Sequence, residues 1–142
     1  MLTIVCHDAG GSEILSSWLS RQTEPYCLVL AGPALSIFER KIGNFLIDTL
    51  ESAVAKSDWV LTGTSWQSDL EIEAIKLANL QGKRSVSFLD HWVNYQQRFM
   101  RDGKVYFPDE IWVGDDSALK IAKEKLPGFN VKLKSNPYFE DL

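Results

Sequence analysis

The sequence predicts an α/β fold with a mainly parallel sheet between two layers of helices. Short β-rich runs alternate with helical patterns almost from end to end. Most of these runs are continuously apolar rather than alternating, which is typical of parallel strands covered on both faces. The connections are short, so right-handed crossovers are expected between successive strands. With 142 residues and no linker, repeat or low-complexity tract, the chain is expected to form a single domain over 1–142.

Six strong strand candidates and one weak candidate make up the predicted sheet. The strong candidates are LTIVC (2–6), YCLVLA (26–31), DWVLT (58–62), SVSFL (85–89), EIWVG (110–114) and NVKLK (130–134). The weak candidate is LSIF (35–38), a short third strand in chain order. The common doubly wound pattern then gives the order 3-2-1-4-5-6-7, a three-layer Rossmann-like arrangement of six or seven strands.

Helices are predicted between the strands from apolar residues at helical spacing. In the first helix, Ser12 is a candidate cap, and one face is shared by Ile14, Leu15, Trp18 and Leu19. The second helix is expected over roughly 45–56, and a fourth around 94–101.

The third and fifth helices have clearer start and stop signals. Ser68 and Glu71 match the S-x-x-E capping box, and Gly82 marks the end of the third helix. The fifth follows Asp115-Asp116-Ser117, ends at Pro127-Gly128 and turns three residues inward: Leu119, Ala122 and Leu126.

Composition and charge narrow the class of protein. Apolar residues make up 45% and charged residues 24%, which is ordinary for a globular protein. The net charge of −4 argues against nucleic-acid binding. Cys6 and Cys27 both lie in apolar runs, where buried reduced thiols are expected. The chain begins without a basic leader and has no apolar run of about 20 residues, so no signal peptide or membrane span is predicted and a cytoplasmic location is expected.

Loops rich in glycine and hydroxyl groups follow the first and fourth predicted strands. They are HDAGGSE (7–13) and GTSWQS (63–68). In the predicted order these strands are neighbours where the strand order reverses, and ligands of such sheets bind outside the carboxyl ends of the strands at that point. The aromatic faces of Trp66 and Trp92 are expected at the rim of this predicted cleft, where they could pack on a sugar ring. The predicted ligand contacts in these loops are Asp8, Gly10, Gly11, Ser12, Thr64, Ser65 and Trp66.

The stretch FLDHWVNYQQRF (88–99) lies at the end of the next predicted strand. Trp92 is a further predicted ligand contact at the rim. Two strand spacings place His91 roughly 10 Å from His7, so that the two corners face one small ligand. Both histidines of the chain thus fall at predicted carboxyl-end loops, and the candidate catalytic residues are His7, Asp90 and His91. A metal site built from these residues and Asp8 lacks any local ligand spacing, so none is predicted.

The corner CHDAGGSE (6–13) allows three interpretations: a turn that needs glycine, a cradle for an anionic ligand, or a nucleophile with its base. Gly10-Gly11 fits neither the G-x-G-x-x-G pattern nor the P-loop, so no nucleotide cofactor is predicted. Cys6 and His7 point to opposite faces if the strand continues through both, which favours a structural role for Cys6. A small hydrolase that uses Cys6 remains an alternative.

Several stretches together are similar to a known family. HDAGGSE, DWVLTGTS and PDEIWVGDDSALKIAKEKLPGFNVKLKSNPYF resemble the N-terminal domain of GT-B-fold glycosyltransferases and of the related UDP-N-acetylglucosamine 2-epimerases. The match to the closing part of that domain consists of Pro108-Asp109 with Val113, followed by Val131 with Asn136-Pro137. Ser135 stands where the family usually has glycine.

The resemblance implies an acceptor-binding lobe. His7 occupies the place of the general base that in some members deprotonates an acceptor hydroxyl, and Asp90 would orient a histidine or bind a hydroxyl. The C-terminal lobe, which binds the donor nucleotide in this family, is expected to be absent from the chain. Transfer would then need a second lobe or a partner chain, with a sugar or nucleotide-sugar as ligand. The alternative is a self-sufficient small-ligand or nucleotide-binding module without catalysis.

Overall fold

A computed structural model describes residues 1–65, 68–90 and 97–134 of the chain. The strands are β1 (Leu2–Cys6), β2 (Tyr26–Leu30), β3 (Trp59–Thr62), β4 (Arg84–Leu89), β5 (Met100–Arg101), β6 (Lys104–Val105), β7 (Glu110–Val113) and β8 (Val131–Leu133). The main sheet has six parallel strands in the order β2-β1-β3-β4-β7-β8. Strands β5 and β6 form a separate antiparallel pair.

The helices are α1 (Ala9–Leu19), α2 (Ala34–Ile42), α3 (Leu50–Lys56), α4 (Leu70–Leu80) and α5 (Asp116–Lys125), with a 3₁₀ turn at Gln97–Phe99. Helices cover both faces of the sheet because successive side chains of a strand point to opposite sides. Ile4 packs with Leu15 of α1 in one core, whereas Val5 packs with Val54 of α3 and Ala74 of α4 in another. The predicted α/β fold, with three layers and a parallel sheet, is confirmed. Among the described helices, none is long and apolar enough to cross a membrane.

The predicted third strand LSIF (35–38) is wrong, since these residues lie in α2. The buried residues of this helix are Ala34 and Phe38, which are spaced by one helical turn. A four-residue apolar run does not distinguish a buried helix segment from a strand. The place beside β2 is taken instead by a single parallel bridge between Leu28 and Ile47. The predicted seven-strand order therefore loses its third member.

Two predicted helix starts also differ from the structure. The second predicted helix begins at Leu50 rather than near residue 45, because the Thr49 hydroxyl caps it by accepting the Ser52 N–H at 3.2 Å. Ser12 is not a cap, since α1 already begins at Ala9 after the N-cap residue Asp8. The Ser12 hydroxyl donates to the Asp8 carbonyl at 2.7 Å and is fully buried.

The predicted capping box of α4 is not formed. The Ser68 hydroxyl accepts the N–H of Leu70 at 3.1 Å, but the carboxylate of Glu71 points away from Ser68 and towards the ends of β1 and β3. Of the predicted helix at 94–101, the described part is the 3₁₀ turn followed by β5. Helix α5 forms as predicted but begins at Asp116 rather than after Ser117, because the Asp115 carboxylate caps it by accepting the Ala118 N–H at 2.7 Å.

The pairing that positions the candidate site is as predicted. Strand β3 lies beside β1, with Val5 opposite Thr62, and β4 lies beside β3, with Thr62 opposite Ser87. Because all of these strands are parallel, the residues that follow them emerge at one edge of the sheet.

Candidate functional site

His7 and Asp8, which directly follow β1, form a hydrogen-bonded pair. The imidazole Nδ1 lies 2.6 Å from Oδ1 of Asp8, and the two side chains are 22% and 30% exposed. With Nδ1–H donating to the carboxylate, Nε2 of the neutral ring carries the lone pair and can accept a proton. The pair is thus an oriented base with a partly accessible ring.

The imidazole of His7 lies over the end of β2, where Gly32 has a φ of +58°. A Cβ at Gly32 would lie 2.6 Å from Nε2, so only glycine leaves room for the ring. The backbone is fixed at the same place, because the N–H of Ala34 donates to the His7 carbonyl at 3.1 Å. The Nε2 atom therefore faces the Gly32-Pro33 segment, which is exposed.

A buried polar cluster follows β3 and β4. Nη1 of Arg98 donates to the Thr64 hydroxyl at 2.9 Å and lies 3.4 Å from the carboxylate of Asp90. The Thr64 hydroxyl in turn donates to Asp90 at 3.2 Å. The side chains of Arg98 and Asp90 are each 4% exposed. Thr64 and Asp90 are thus brought together as the predicted strand order requires, but around an arginine that the sequence did not single out.

Glu71 is a buried carboxylate between the ends of β1 and β3. Its oxygens accept the Ser65 hydroxyl at 3.0 and 3.1 Å and the peptide N–H of His7 at 3.3 Å. Burial, with a smaller contribution from the negative charge of Asp8, raises the pKa of Glu71 to about 7 against the lowering effect of the Ser65 hydrogen bond. The carboxyl group of Glu71 therefore accepts hydrogen bonds from both the loop after β1 and the loop after β3.

Arg101 holds the loop after β3 from the other side. Its guanidinium donates to the carbonyl oxygens of Ser65 and Ser68 at 2.7 and 3.0 Å, and to the carboxylate of Asp69 at 2.6 Å. Backbone carbonyls bound by a planar guanidinium are held in a defined geometry. The position of Ser65 is thus set by Glu71 and Arg101 together.

Cys6 lies beneath the corner and is fully buried. Burial, together with the nearby carboxylate of Glu71, raises the pKa of its thiol well above the ordinary value. A nucleophile needs an accessible thiolate, so the structural interpretation of Cys6 is supported over the hydrolase.

Gly11 lies at a close approach of two backbones. A Cβ at this position would lie 3.2 Å from Cα of Gly63, where the first turn of α1 packs on the end of β3. This agrees with the interpretation that the paired glycines serve geometry. Gly10 lies in the same first turn of α1.

The predicted ligand residues divide into an accessible and a buried group. Thr64 and Ser65 are each 2% exposed, and Ser12 is completely buried. His7, Asp8 and Gly10 are partly exposed at the corner itself. The His7–Asp8 pair is thus open to a ligand, whereas the hydroxyls of Thr64 and Ser65 are enclosed by the protein.

Trp66, His91 and Trp92 lie outside the residues that the structure describes, and their roles stay predictions. Within the described ranges, no group of three or more His, Cys, Asp or Glu side chains is arranged to hold a metal ion.

Sequence reasoning missed Glu71, Arg98 and Gly32 as parts of the site. The capping-box pattern gave Glu71 a local explanation, and Arg98 and Gly32 reach the site only through tertiary contacts. Comparisons with protein-family models, with curated proteins and with solved structures found no match to this chain.

Proposed function

We propose that the chain is an acceptor-binding lobe of the glycosyltransferase type that binds a neutral sugar at the His7–Asp8 corner. Transfer itself would need a donor-binding lobe from a second domain or a partner chain. The observation that carries the proposal is the 2.6 Å contact between Nδ1 of His7 and Oδ1 of Asp8 at the carboxyl end of a central strand.

The chemistry proposed for His7 is general-base catalysis. Asp8 holds the ring with Nδ1 protonated, so that Nε2 can take the proton of an acceptor hydroxyl as its oxygen attacks the donor sugar. Because the His7 side chain is 22% exposed, an acceptor hydroxyl would approach Nε2 from the solvent side, beside its contact with Gly32. Asp90 would act from beneath, by holding Thr64 in place.

The charges of the corner favour a neutral ligand over a nucleotide. Asp8 places a partly exposed carboxylate at the corner, whereas the positive charge of Arg98 is balanced by the buried carboxylate of Asp90. A phosphate would be repelled by ionised carboxylates at short range, whereas sugar hydroxyls donate readily to carboxylates. This supports the acceptor side of a transfer reaction.

One observation favours the alternative, a nucleotide-binding module. The Asp8 side chain does not cap α1, so the first-turn N–H groups of this helix lack a side-chain partner from their N-cap residue. Uncapped helix N-termini attract anions. The two functions are separated by whether the corner responds to a neutral saccharide or to a nucleotide.

The test is a chemical-shift titration of the full chain, followed through its backbone amides. The probes are cellobiose and N-acetylglucosamine as neutral ligands, and UDP and UDP-N-acetylglucosamine as charged ones. We expect the neutral probes to shift the amides of residues 7–11 and 31–34. Asp8→Asn should weaken binding by about tenfold through loss of the oriented charge, while Asp116→Asn on the exposed start of α5 should have no effect. Shifts confined to other regions, or equal shifts with UDP alone, would contradict the proposal.

A further inference from the structure

We propose that β8, at one edge of the main sheet, binds an extended segment of a partner chain in which acidic and apolar residues alternate. The segment adds a strand to the sheet and places its carboxylates on the lysines of β8. In the sheet, β8 lies four positions from β1, so this interaction does not depend on the proposed sugar site.

The outer edge of β8 is open to strand pairing. The Lys134 N–H donates to the Val113 carbonyl, and the Asn130 carbonyl accepts an N–H from β7, each at 2.8 Å. Because successive residues of a strand direct their peptide groups to opposite sides, the N–H and C=O of Val131 and Leu133 point away from β7. In the part of the chain that the structure describes, no strand pairs with this outer edge. These peptide groups therefore form a template for a further strand.

The two faces of β8 carry different side chains. Lys132 lies opposite Trp112 in the register, and Leu133 lies opposite Val113. Trp112 belongs to the core that includes α1, and Val113 belongs to the core that includes α5. Nζ of Lys134 lies 4.9 Å from the centre of the Trp112 ring, so both lysines are on the α1 side. Leu133 is on the α5 side and is nearly half exposed.

The α1 side of this edge carries an excess of positive charge. The carboxylate of Glu110 lies 2.6 Å from Nζ of Lys132 and 2.5 Å from the guanidinium of Arg84, and both cations are half exposed. Although burial opposes it, these two contacts lower the pKa of Glu110 to about 2, so the carboxylate is ionised at neutral pH. With Lys134, three cations and one carboxylate leave a net charge of +2 in a chain whose total is −4. This cluster attracts carboxylates.

A second copy of the chain is a poor partner for this edge. Two β8 strands that pair about a twofold axis keep the same face, so their lysines would lie opposite one another, and like charges in that position destabilise a sheet. An acidic strand reverses this effect. Its carboxylates on alternate residues match the spacing of Lys132 and Lys134, and the apolar residue between them meets Leu133 on the other face. The alternation of charge along the edge therefore favours strand addition by an acidic segment.

The first experiment titrates the full chain at about pH 7 with a short capped peptide of alternating glutamate and valine, followed by NMR through the backbone amides. We expect the amides of Val131 and Leu133 to shift most, because their N–H groups gain acceptors. A peptide of the same composition with its glutamates in one block, and a peptide of alternating lysine and valine, should bind about tenfold more weakly. Equal binding of the two glutamate peptides, or no saturable shift up to about 10 mM of the alternating one, would overturn the proposal.

Variants of β8 separate the charges from the backbone pairing. Lys132→Gln combined with Lys134→Gln should weaken binding of the alternating peptide by about fivefold. Lys120→Gln combined with Lys123→Gln makes the same change of charge on the exposed side of α5 and should have no effect. Leu133→Pro removes an N–H that points outward and spares the bonds to β7, so it should abolish binding. If Leu133→Pro does not fold, the double lysine variant decides, and binding as tight as in the wild type contradicts the proposal.

Hydrogen exchange of the peptide-free chain tests whether the edge is free. The amides of Val131 and Leu133 should exchange about tenfold faster than those of Lys132 and Lys134, at a rate independent of protein concentration. Protection of the outward amides that increases with concentration would show that a second copy covers the edge. Protection that does not depend on concentration would show that another segment of the same chain covers it. Either result would overturn the proposal.

Discussion

The imidazole of His7 occupies the space that a side chain at Gly32 would need. The nearest ring atom, Nε2, lies 2.6 Å from the position of a Cβ at Gly32. The ring that follows β1 can pack against the segment that follows β2 because Gly32 has no side chain. A side chain at residue 32 would require the ring to move from this position.

Gly32→Ala should therefore displace the His7 ring from Asp8. We expect a loss of about 1–2 kcal/mol in the free energy of unfolding from the left-handed backbone, plus the cost of the clash. Gly82→Ala is the matched control, since Gly82 has a φ of +68° and no atom within 4 Å of its Cβ position. Denaturant unfolding gives the stability of both variants, and imidazole NMR reports the ring. An unchanged imidazole spectrum in Gly32→Ala would show that the ring does not depend on this space.

Glu71→Gln should remove a pH dependence of stability. The pKa of Glu71 is raised to about 7, so the native state holds this proton more tightly than the unfolded chain. Its stabilising effect is complete below the ordinary glutamate pKa and is lost as the pH rises through about 7. As the pH rises from the ordinary glutamate pKa to above about 7, the free energy of unfolding of the wild type should fall by up to about 3 kcal/mol relative to that of Glu71→Gln.

Urea unfolding at several pH values measures this difference, with Glu73→Gln as the control on the same helix. Glu73 is largely exposed, so its replacement should leave the pH dependence of the wild type intact. If the free energies of unfolding of the wild type and Glu71→Gln differ by the same amount at every pH, the prediction is wrong.

Arg98→Met should be strongly destabilising, because it leaves the buried Asp90 carboxylate without its guanidinium partner. Loss of one member of a buried ion pair typically costs about 3–5 kcal/mol. Arg40→Met is the comparison, since Arg40 pairs with Glu13 while 58% exposed and should cost less than about 1 kcal/mol. Thermal and urea unfolding measure the loss of unfolding free energy in both variants. Similar losses in Arg98→Met and Arg40→Met would argue against a buried ion pair at Arg98.

Cys6 should resist alkylation in the folded chain. Its thiol is fully buried and its pKa is raised, whereas Cys27 is only partly buried. Mass spectrometry after iodoacetamide treatment should find modification at Cys27 before Cys6, and at both in urea. In Cys27→Ser the folded chain should remain unmodified. Rapid labelling of Cys6 in that variant would revive the hydrolase alternative.

The sequence predicted most of the sheet, because parallel strands need apolar residues on both faces. LTIVC shows this directly, and the structure has a fully buried strand at Leu2–Cys6. LSIF misled because four apolar residues suit either a buried helix or a strand, and the burial of Ala34 and Phe38 decides for α2. The capping box predicted from Ser68 and Glu71 is wrong because the sequence pattern considers only local partners. In the folded chain the Glu71 carboxylate binds Ser65 and the His7 backbone instead.

By itself, the sequence determined the fold class and which loops meet at the carboxyl edge of the sheet, since hydrophobic periodicity and chain order are local properties. Tertiary structure alone decided that His7 lies over Gly32, that Arg98 bonds Thr64 and Asp90, and that Glu71 is buried. Apart from Arg98 and Asp90, which are 8 positions apart, these contacts join residues from 25 to 64 positions apart, as between His7 and Gly32 or His7 and Glu71. Their energies depend on desolvation and close packing, and these arise only when distant segments enclose the same space.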